Sequence, residues 1–254
     1  MRSIKRIIYG ILYLAIFGGL FYFLYLAFRA PAGCTNGRQD SGEEGLDCGG
    51  VCANICLPSS FERLEVSGLV DILKISQNQT VLVADIQNSN QDIAAKEFEY
   101  SFEIKNEQNE IIGSVSGKSF AYAGELKHLV GFFRSKDAGS VSGAEIKFAK
   151  EEWIKAFEFP RPAVDFVEKR TNQTDTGVEA VGRIINRDVV SLSKVEIVAI
   201  FKNGYGSIVG VSQTELENIG PGESREFRVS HPAINDLDPY RTEYTFSALR
   251  MVAL

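Results

Sequence analysis

The sequence lacks the residues and patterns on which most enzymes depend. Its 254 residues include two histidines, His128 and His231, and contain no metalloprotease, serine-hydrolase, phosphate-loop or dinucleotide-binding motif. Catalysis needs a nucleophile or a metal supported by positioned acids and bases, and spacing singles out no pair among the 33 acidic residues. We therefore expect no enzymatic activity, and we expect both histidines to be ordinary surface or partly buried residues.

Cysteine is absent from residues 57–254, because all four cysteines lie between residues 34 and 56. An even, clustered set of this kind is typical of two disulfides formed in an oxidising compartment. Three pairings are possible, and the sequence does not choose among them. The four residues are Cys34, Cys48, Cys52 and Cys56.

Positive charge is scarce outside the N-terminus. The first 29 residues carry four of the 27 basic side chains and none of the 33 acidic ones, so the remainder has a net charge of −10. A surface this acidic repels phosphate backbones and anionic headgroups. We therefore expect no nucleic-acid partner.

Charge is missing altogether from the 22 residues between Ile7 and Phe28. As a helix this run is roughly 33 Å long, enough to cross a bilayer core about 30 Å thick. Three basic residues precede it and one follows, so the positive-inside bias places residues 1–6 in the cytoplasm and the rest of the chain outside. We predict a membrane anchor over residues 7–28, represented by Ile7, Leu14, Phe21 and Phe28.

Two alternatives to a retained anchor remain open. Ala30-Pro31-Ala32 has the small residues of a signal-peptidase site, and Ala32-Gly33-Cys34 has the form of the end of a bacterial lipobox. The apolar run is longer than the apolar region of most signal peptides, about 7–15 residues. All three interpretations export the chain.

Residues 33–57 are rich in Gly, Asn and Asp and contain too few apolar residues to form a core. They resemble a short motif of secreted and surface proteins, C-x-N/D-G-x-x-x-x-x-E-x-x-x-D-C-G-G-x-C-x-x-x-C. The resemblance implies an extracellular disulfide module, which we interpret as a rigid stalk. The matching residues are Asn36, Gly37, Glu43, Asp47, Gly49 and Gly50.

Two metal-binding alternatives remain open for the stalk. Oxygen ligands in a turn-rich loop suit Ca²⁺, although their spacing differs from that of an EF-hand. Four thiolates could instead bind zinc, although the spacing is not the usual paired C-x2-C. The calcium candidates are Asn36, Asp40, Glu43 and Asp47.

The rest of the chain contains a repeat with a period of 97 or 98 residues. Val81–Asn88 aligns with Glu179–Asn186, each a β-rich run ended by Asn, which tolerates turn conformations. Gly124-Glu125 corresponds to Gly222-Glu223. We predict two modules, over residues 60–157 and 162–254.

Strand patterns support this division. Apolar and polar residues alternate from Glu97 to Lys105, as in a strand with one buried face. In the second copy the corresponding run, Val195–Phe201, is apolar on both faces in its middle, which indicates deeper burial. Short strands at about ten-residue spacing predict an all-β ectodomain of two tandem immunoglobulin-like antiparallel sandwiches. One helical turn is expected at Lys150–Lys155.

The second copy resembles the FxLYD-type and late-embryogenesis-like immunoglobulin-fold modules of microbial envelopes. Their patterns are V-x-G-x-x-x-N, G-x-x-x-G and L-x-P-G-E-S-x-x-F. The first copy matches more loosely, because Ala84 replaces a glycine. The resemblance implies fold and location more than activity. The matching segments are Val181-Gly-Arg-Ile-Ile-Asn186, Gly206-Ser-Ile-Val-Gly210, and Ile219-Gly-Pro-Gly-Glu-Ser224 with Phe227.

Two smaller features complete the pattern. Glycosylation sequons begin at Asn78 and Asn172, which we take to be equivalent positions of the two copies. Trp153, near the segment between the copies, is expected to be a packing residue rather than a binding platform.

Together these features predict a membrane-anchored extracellular binding or scaffolding protein that presents two modules to another envelope or surface protein. One alternative is an accessory subunit of a membrane assembly that acts through the helix. Another is a calcium-dependent adhesion module.

Overall fold

The structure, a computed structural model, describes residues 2–28 and 33–251. It consists of two compact units, Met1–Pro58 and Ser59–Leu254. The signal-peptide and lipobox alternatives depend on residues 30–32, which lie outside the described residues.

The first unit contains one helix, α1 (Arg2–Phe28), followed by the cysteine-rich segment. Within α1, Ile8–Tyr25 is long and apolar enough to cross a membrane, and none of its residues is buried within the protein. Leu, Ile and Phe side chains that are all exposed are costly in water but stable in lipid.

The second unit begins with an antiparallel sandwich of two sheets. In one sheet, β3 lies between β6 on one side and β1 and β2 on the other; in the other sheet, β4 lies between β5 and β7. The strands are β1 (Glu65–Val66), β2 (Asp71–Ser76), β3 (Gln79–Gln87), β4 (Ile93–Lys105), β5 (Ile111–Ala121), β6 (Leu126–Arg134) and β7 (Gly143–Lys155).

A second sandwich repeats the six strands β2–β7. Its sheets have the orders β12-β9-β8 and β11-β10-β13, again antiparallel throughout. The strands are β8 (Val164–Thr174), β9 (Gly177–Asn186), β10 (Leu192–Lys202), β11 (Ile208–Ile219), β12 (Ser224–Pro232) and β13 (Glu243–Arg250). The expected fold class, two β-sandwiches after a helix and a disulfide-rich segment, is confirmed.

Each sandwich has its own core. Phe98 and Phe102 of β4 lie at the centre of the first, and Ile197 and Phe201 of β10 at the centre of the second; all four are fully buried. The inward residues of β4 alternate with charged outward residues, as the pattern of period two predicts.

The helical turn expected at Lys150–Lys155 is wrong, because these residues continue strand β7. The register with β4 shifts beside Glu97, and Lys150 takes a positive φ of 49°, as in a β-bulge. Beyond the bulge, Trp153 packs against the first core and contacts the ring of Phe61. The continued strand places the half-buried Trp153 indole against the first core, which favours a strand over the expected helical turn.

The asparagines that end the aligned runs have the same role in both copies. The side-chain amide of Asn88 donates to the carbonyls of Ile93 and Tyr122 at 2.8 and 3.0 Å. Asn186 makes the equivalent bonds to Val190 and Ile219 at 2.9 and 3.0 Å. Both asparagines are fully buried, and neither takes a positive φ. Their amide groups satisfy main-chain carbonyls, and their side-chain oxygens accept the N–H of the residue two positions later, Asn90 or Asp188, as in an Asx turn.

The paired Gly-Glu dipeptides complete this corner. Gly124 and Gly222 have φ values of 66° and 73°, a region that favours glycine. The Glu125 and Glu223 carboxylates each accept a backbone N–H from the residue three positions earlier. The repeat inferred from sequence is thus a repeat of hydrogen bonds as well as of strands.

Candidate functional site

The anchor helix has an unobstructed surface. Leu14 and Phe21 are 78% and 73% exposed. A Cβ added at Gly10, Gly18 or Gly19 would meet no atom within 4 Å, so the helix is flat at these positions. The side chains of Ile7 and Phe28, also expected to belong to the anchor, lie outside the described part of the helix.

The four cysteines form two disulfides, Cys34–Cys52 and Cys48–Cys56. The structure thereby selects one of the three possible pairings. Disulfide sulfurs offer no thiolate, so the zinc alternative is wrong. Disulfides of this kind indicate an oxidising compartment.

The carboxylates proposed as calcium ligands are engaged within the loop. The two oxygens of Asp47 accept the backbone N–H groups of Asn36 and Gly37, each at 2.8 Å. Asp40 accepts the Asn36 side-chain amide at 2.6 Å, and Glu43 accepts the Asp40 N–H at 2.9 Å. These bonds explain the acidic residues as supports for a loop without a core. Calcium binding stays a prediction.

The glycines of the cysteine-rich segment permit close backbone contacts. Gly50 has a φ of 58°, and a Cβ there would lie 1.8 Å from the Gly42 carbonyl oxygen. A Cβ on Gly45 would lie 2.9 Å from the sulfurs of Cys48 and Cys56. Only glycine fits at these places.

The two sandwiches pack face to face, and we call this contact the joint. It joins the outer face of the β1-β3-β2-β6 sheet to the outer face of the β11-β10-β13 sheet. As a result β3 is buried on both faces from Thr80 to Ala84, whereas its counterpart β9 alternates regularly. The joint residues are Val81, Val83, Val130, Val198, Ile200 and Val211, with Leu73, Ile75, Phe132 and Ile208 packed against them.

Each sandwich also has an outer face that takes no part in the joint. On that face, charged residues occupy the positions equivalent to joint residues of the other sandwich. By the repeat register, Val81 and Val130 correspond to Glu179 and Arg228, which form an ion pair at 2.5 Å. Ile200 likewise corresponds to Glu103, which pairs with a lysine of β7 at 2.6 Å. Each sandwich therefore has one apolar face for the joint and one charged outer face. The charged outer faces are comparable to the polar outer faces of terminal repeats in stacked proteins.

Polar contacts border the joint. The Tyr122 hydroxyl donates to the Ala248 carbonyl at 2.6 Å, and the Ser247 hydroxyl donates to Glu125 at 2.8 Å. Burial and the nearby charge of Glu125 raise the pKa of Tyr122, so the phenol stays a donor. Phe159, from the segment between the sandwiches, stacks on the same ring.

An ion pair between a buried lysine and a half-buried glutamate crosses the joint. Lys127 of β6 lies 2.8 Å from Glu196 of β10 and 3.9 Å above the Phe120 ring. Burial acts to raise the pKa of Glu196, but the charge and hydrogen bonds of Lys127 and Lys194 outweigh it and hold this pKa below its usual range. The Glu196 carboxyl is therefore ionised at neutral pH.

The two histidines lie in different sandwiches and contact different groups. His128 Nδ1 lies 2.5 Å from Asp85 on the neighbouring strand. His231 lies in β12, where its Nδ1 donates to the Pro232 carbonyl and burial lowers its pKa. Among the described hydrogen bonds, neither ring contacts a hydroxyl or a thiol.

The two sequons are not at equivalent positions, which corrects the sequence-based alignment. Asn78 lies in the turn between β2 and β3, whereas Asn172 lies within strand β8. The register of β3 and β9 makes Thr176 the counterpart of Asn78. Thr80 is buried with its hydroxyl bonded to Ala138, while Thr174 is exposed.

Comparisons with known proteins leave the family open. No model of a known protein family matches the chain, and no curated protein matches it. Among solved structures it is similar to red sea bream transglutaminase, with 13% sequence identity, a TM-score of 0.22 and 76% of this chain covered. The chain spans 32% of the length of that protein. So weak a likeness does not support enzymatic activity, and the resemblance to FxLYD-type modules stays a prediction.

The fold and these features define a class: an all-β protein of two antiparallel sandwiches preceded by a disulfide-bonded segment and an apolar helix suited to a membrane. The joint was not predicted from the sequence. Its signals were the two apolar faces of β10 and the exchange of Val81 and Val130 for charged residues in the second copy.

Proposed function

We propose that this chain is a membrane-anchored binding or scaffolding protein that presents two rigidly joined sandwiches to another envelope or surface protein, without catalysis. The N-terminus is cytoplasmic in this proposal, and the sandwiches are extracellular or periplasmic. The resemblance to envelope modules and the oxidised cysteines support this location.

The joint is the observation that carries the proposal. Its apolar residues and the Lys127–Glu196 ion pair hold both sandwiches as one body. Loops and strand edges on a rigid body are presented in fixed positions, which lowers the entropy cost of binding a partner. The outer faces carry paired charges, so recognition is assigned to the edges and end loops.

The accessory-subunit alternative rests on the helix. Its exposed side chains and three flat glycine positions suit close packing against another membrane helix. A chain in which residues 7–28 are replaced by an unrelated apolar helix separates the two proposals.

The test is crosslinking followed by pull-down from native membranes, with the intact and the helix-swapped chains as paired baits. We expect both baits to capture the same partner set. Partners captured by the intact chain alone would overturn the proposal in favour of the accessory subunit. The calcium alternative requires that a chelator lower the melting temperature of the full chain.

A further inference from the structure

The last strand of the second sandwich has a free edge. In the described part of the chain, β13 pairs with β10 and with no other strand. The Ala248 carbonyl accepts the Tyr122 hydroxyl, and the Met251 N–H bonds instead to Ser191 on the β10 side. Because backbone groups alternate in direction along a strand, Tyr244 and Phe246 present their N–H and C=O groups to the free edge.

A groove runs beside this edge. It has a volume of about 870 Å³, with residues 169–173 of β8 on one side and residues 242–245 on the other. Its lining includes the ring of Tyr244 and the almost fully exposed Tyr240. A groove between an unpaired edge and a neighbouring strand has the shape required by one extended chain.

The edge also lacks the usual protection against pairing. Natural edge strands carry charges, particularly lysine, that discourage added strands. Strand β7, the counterpart of β13, carries Lys147, Lys150 and Lys155. In contrast, β13 carries no lysine. Its two charged residues, Glu243 and Arg250, stand at its ends and form ion pairs with Lys202 and Asp188, and the residues between them read Tyr-Thr-Phe-Ser-Ala-Leu. Such a segment favours β-pairing.

Charge indicates the kind of chain that fits. Lys169 and Arg170 line the groove, and neither forms an ion pair with any described residue, whereas Glu243 is neutralised by Lys202 at 2.5 Å. The groove is thus a cationic patch on an otherwise acidic ectodomain. Pairing this edge with that of a second copy would bring four such cations together, which disfavours self-association.

We propose that the β13 edge binds an extended, acidic peptide segment of a partner protein, which adds as a further strand beside Tyr244 and Phe246 while its carboxylates contact Lys169 and Arg170. This inference rests on the proposed binding function and names its surface.

The probe is a synthetic peptide of about seven residues, alternating Val and Thr with acidic residues at one end. Its binding to the full chain in detergent micelles is followed by fluorescence anisotropy. Two matched peptides serve as controls: one N-methylated along a single edge, and one with lysine in place of each acid. We expect saturable binding of the acidic peptide and affinities about tenfold or more weaker for both controls. Absence of binding, or equal binding of the N-methylated peptide, overturns the inference.

Variants test the location. Arg170→Glu should weaken binding of the acidic peptide about tenfold. Lys136→Glu makes the same charge change at an exposed residue of the β6–β7 turn and should leave the affinity unchanged. In hydrogen exchange, the peptide should slow the amides of residues 244–246 in the parent chain. Three results contradict the proposal. They are an equal loss of peptide affinity in Arg170→Glu and Lys136→Glu, unchanged exchange rates for the amides of residues 244–246, and a dimer of the chain that competes with the peptide.

The two proposals can fail separately. If intact Arg170→Glu bait captures the same partners as the parent from native membranes, the edge is not the recognition surface, although the binding function stands. If neither helix-swapped nor Arg170→Glu bait loses partners, the end loops become the remaining surface and the inference about β13 is wrong.

Discussion

The hydroxyl of Tyr122, at the end of the first sandwich, donates a 2.6 Å hydrogen bond to the carbonyl oxygen of Ala248 in the second, 126 residues further along the chain. The bond closes one border of the joint and occupies a backbone group at the otherwise free β13 edge. The bond thus connects the two sandwiches and occupies the β13 edge beyond the groove, which is lined by residues 242–245 of this part of the chain.

Removing this hydroxyl should loosen the joint modestly. Tyr122→Phe keeps the stacked ring but leaves a buried carbonyl without its partner, and we expect it to lower the free energy of unfolding by about 1 kcal/mol. Chemical denaturation of the full chain in detergent measures the change. Tyr240→Phe, at an exposed ring, is the control and should have no effect.

A charge within the joint should be far more costly. Val198→Glu places a carboxylate against Val81 and Val83, with an expected cost of about 3 kcal/mol or more. Ser101→Glu puts the same side chain at the equivalent position of the outer face and should change stability by less than about 0.5 kcal/mol. Similar costs for the two variants would show that the faces do not meet.

The buried asparagines should be important in both copies. Asn88→Ala leaves the buried carbonyls of Ile93 and Tyr122 unsatisfied, and should cost about 3 kcal/mol. Asn186→Ala leaves the buried Ile219 carbonyl and the more exposed Val190 carbonyl without their partner, and should cost about 2 kcal/mol. Asn172→Ala, at an exposed position, is the control. A near-neutral result at either buried position would contradict the shared role of the two corners.

Acid should weaken the joint through Glu196. Because its pKa in the folded protein lies below its unfolded value, its ion pair adds stability above the unfolded pKa of about 4.3. That contribution is lost as pH falls from this value through the lower folded pKa. We expect Glu196→Gln to flatten the acid side of the stability profile measured by denaturation between pH 7 and pH 3. Glu107→Gln, an exposed carboxyl without an ion pair among the described residues, should leave the profile unchanged.

The disulfide pairing should depend on Gly50. Gly50→Ala adds a clash with the Gly42 carbonyl to the strain of a positive φ, so we expect mispaired or free thiols. Gly37→Ala carries the strain alone, about 1–2 kcal/mol, and should keep both native pairs. Non-reducing peptide mapping distinguishes Cys34–Cys52 and Cys48–Cys56 from other pairings.

Much of the architecture could be predicted, because its signals are local in sequence. The uncharged run from Ile7 to Phe28 indicates a membrane helix by its length, and the alternation from Glu97 to Lys105 indicates a strand by its period. The repeat of Asn88 and Asn186 marked two copies of one fold. Each of these features depends on residues a few positions apart, or on comparison of one segment with another.

The tertiary structure alone decided which surfaces meet. A buried valine at Val81 or Val83 looks the same in sequence whether a core or a second sandwich covers it, so the joint required three-dimensional packing. The same holds for the choice of Cys52 as the partner of Cys34, which depends on backbone turns at glycines that permit several loops. The free β13 edge is likewise a property of the sheet order, because pairing is set by contacts between segments far apart in the chain.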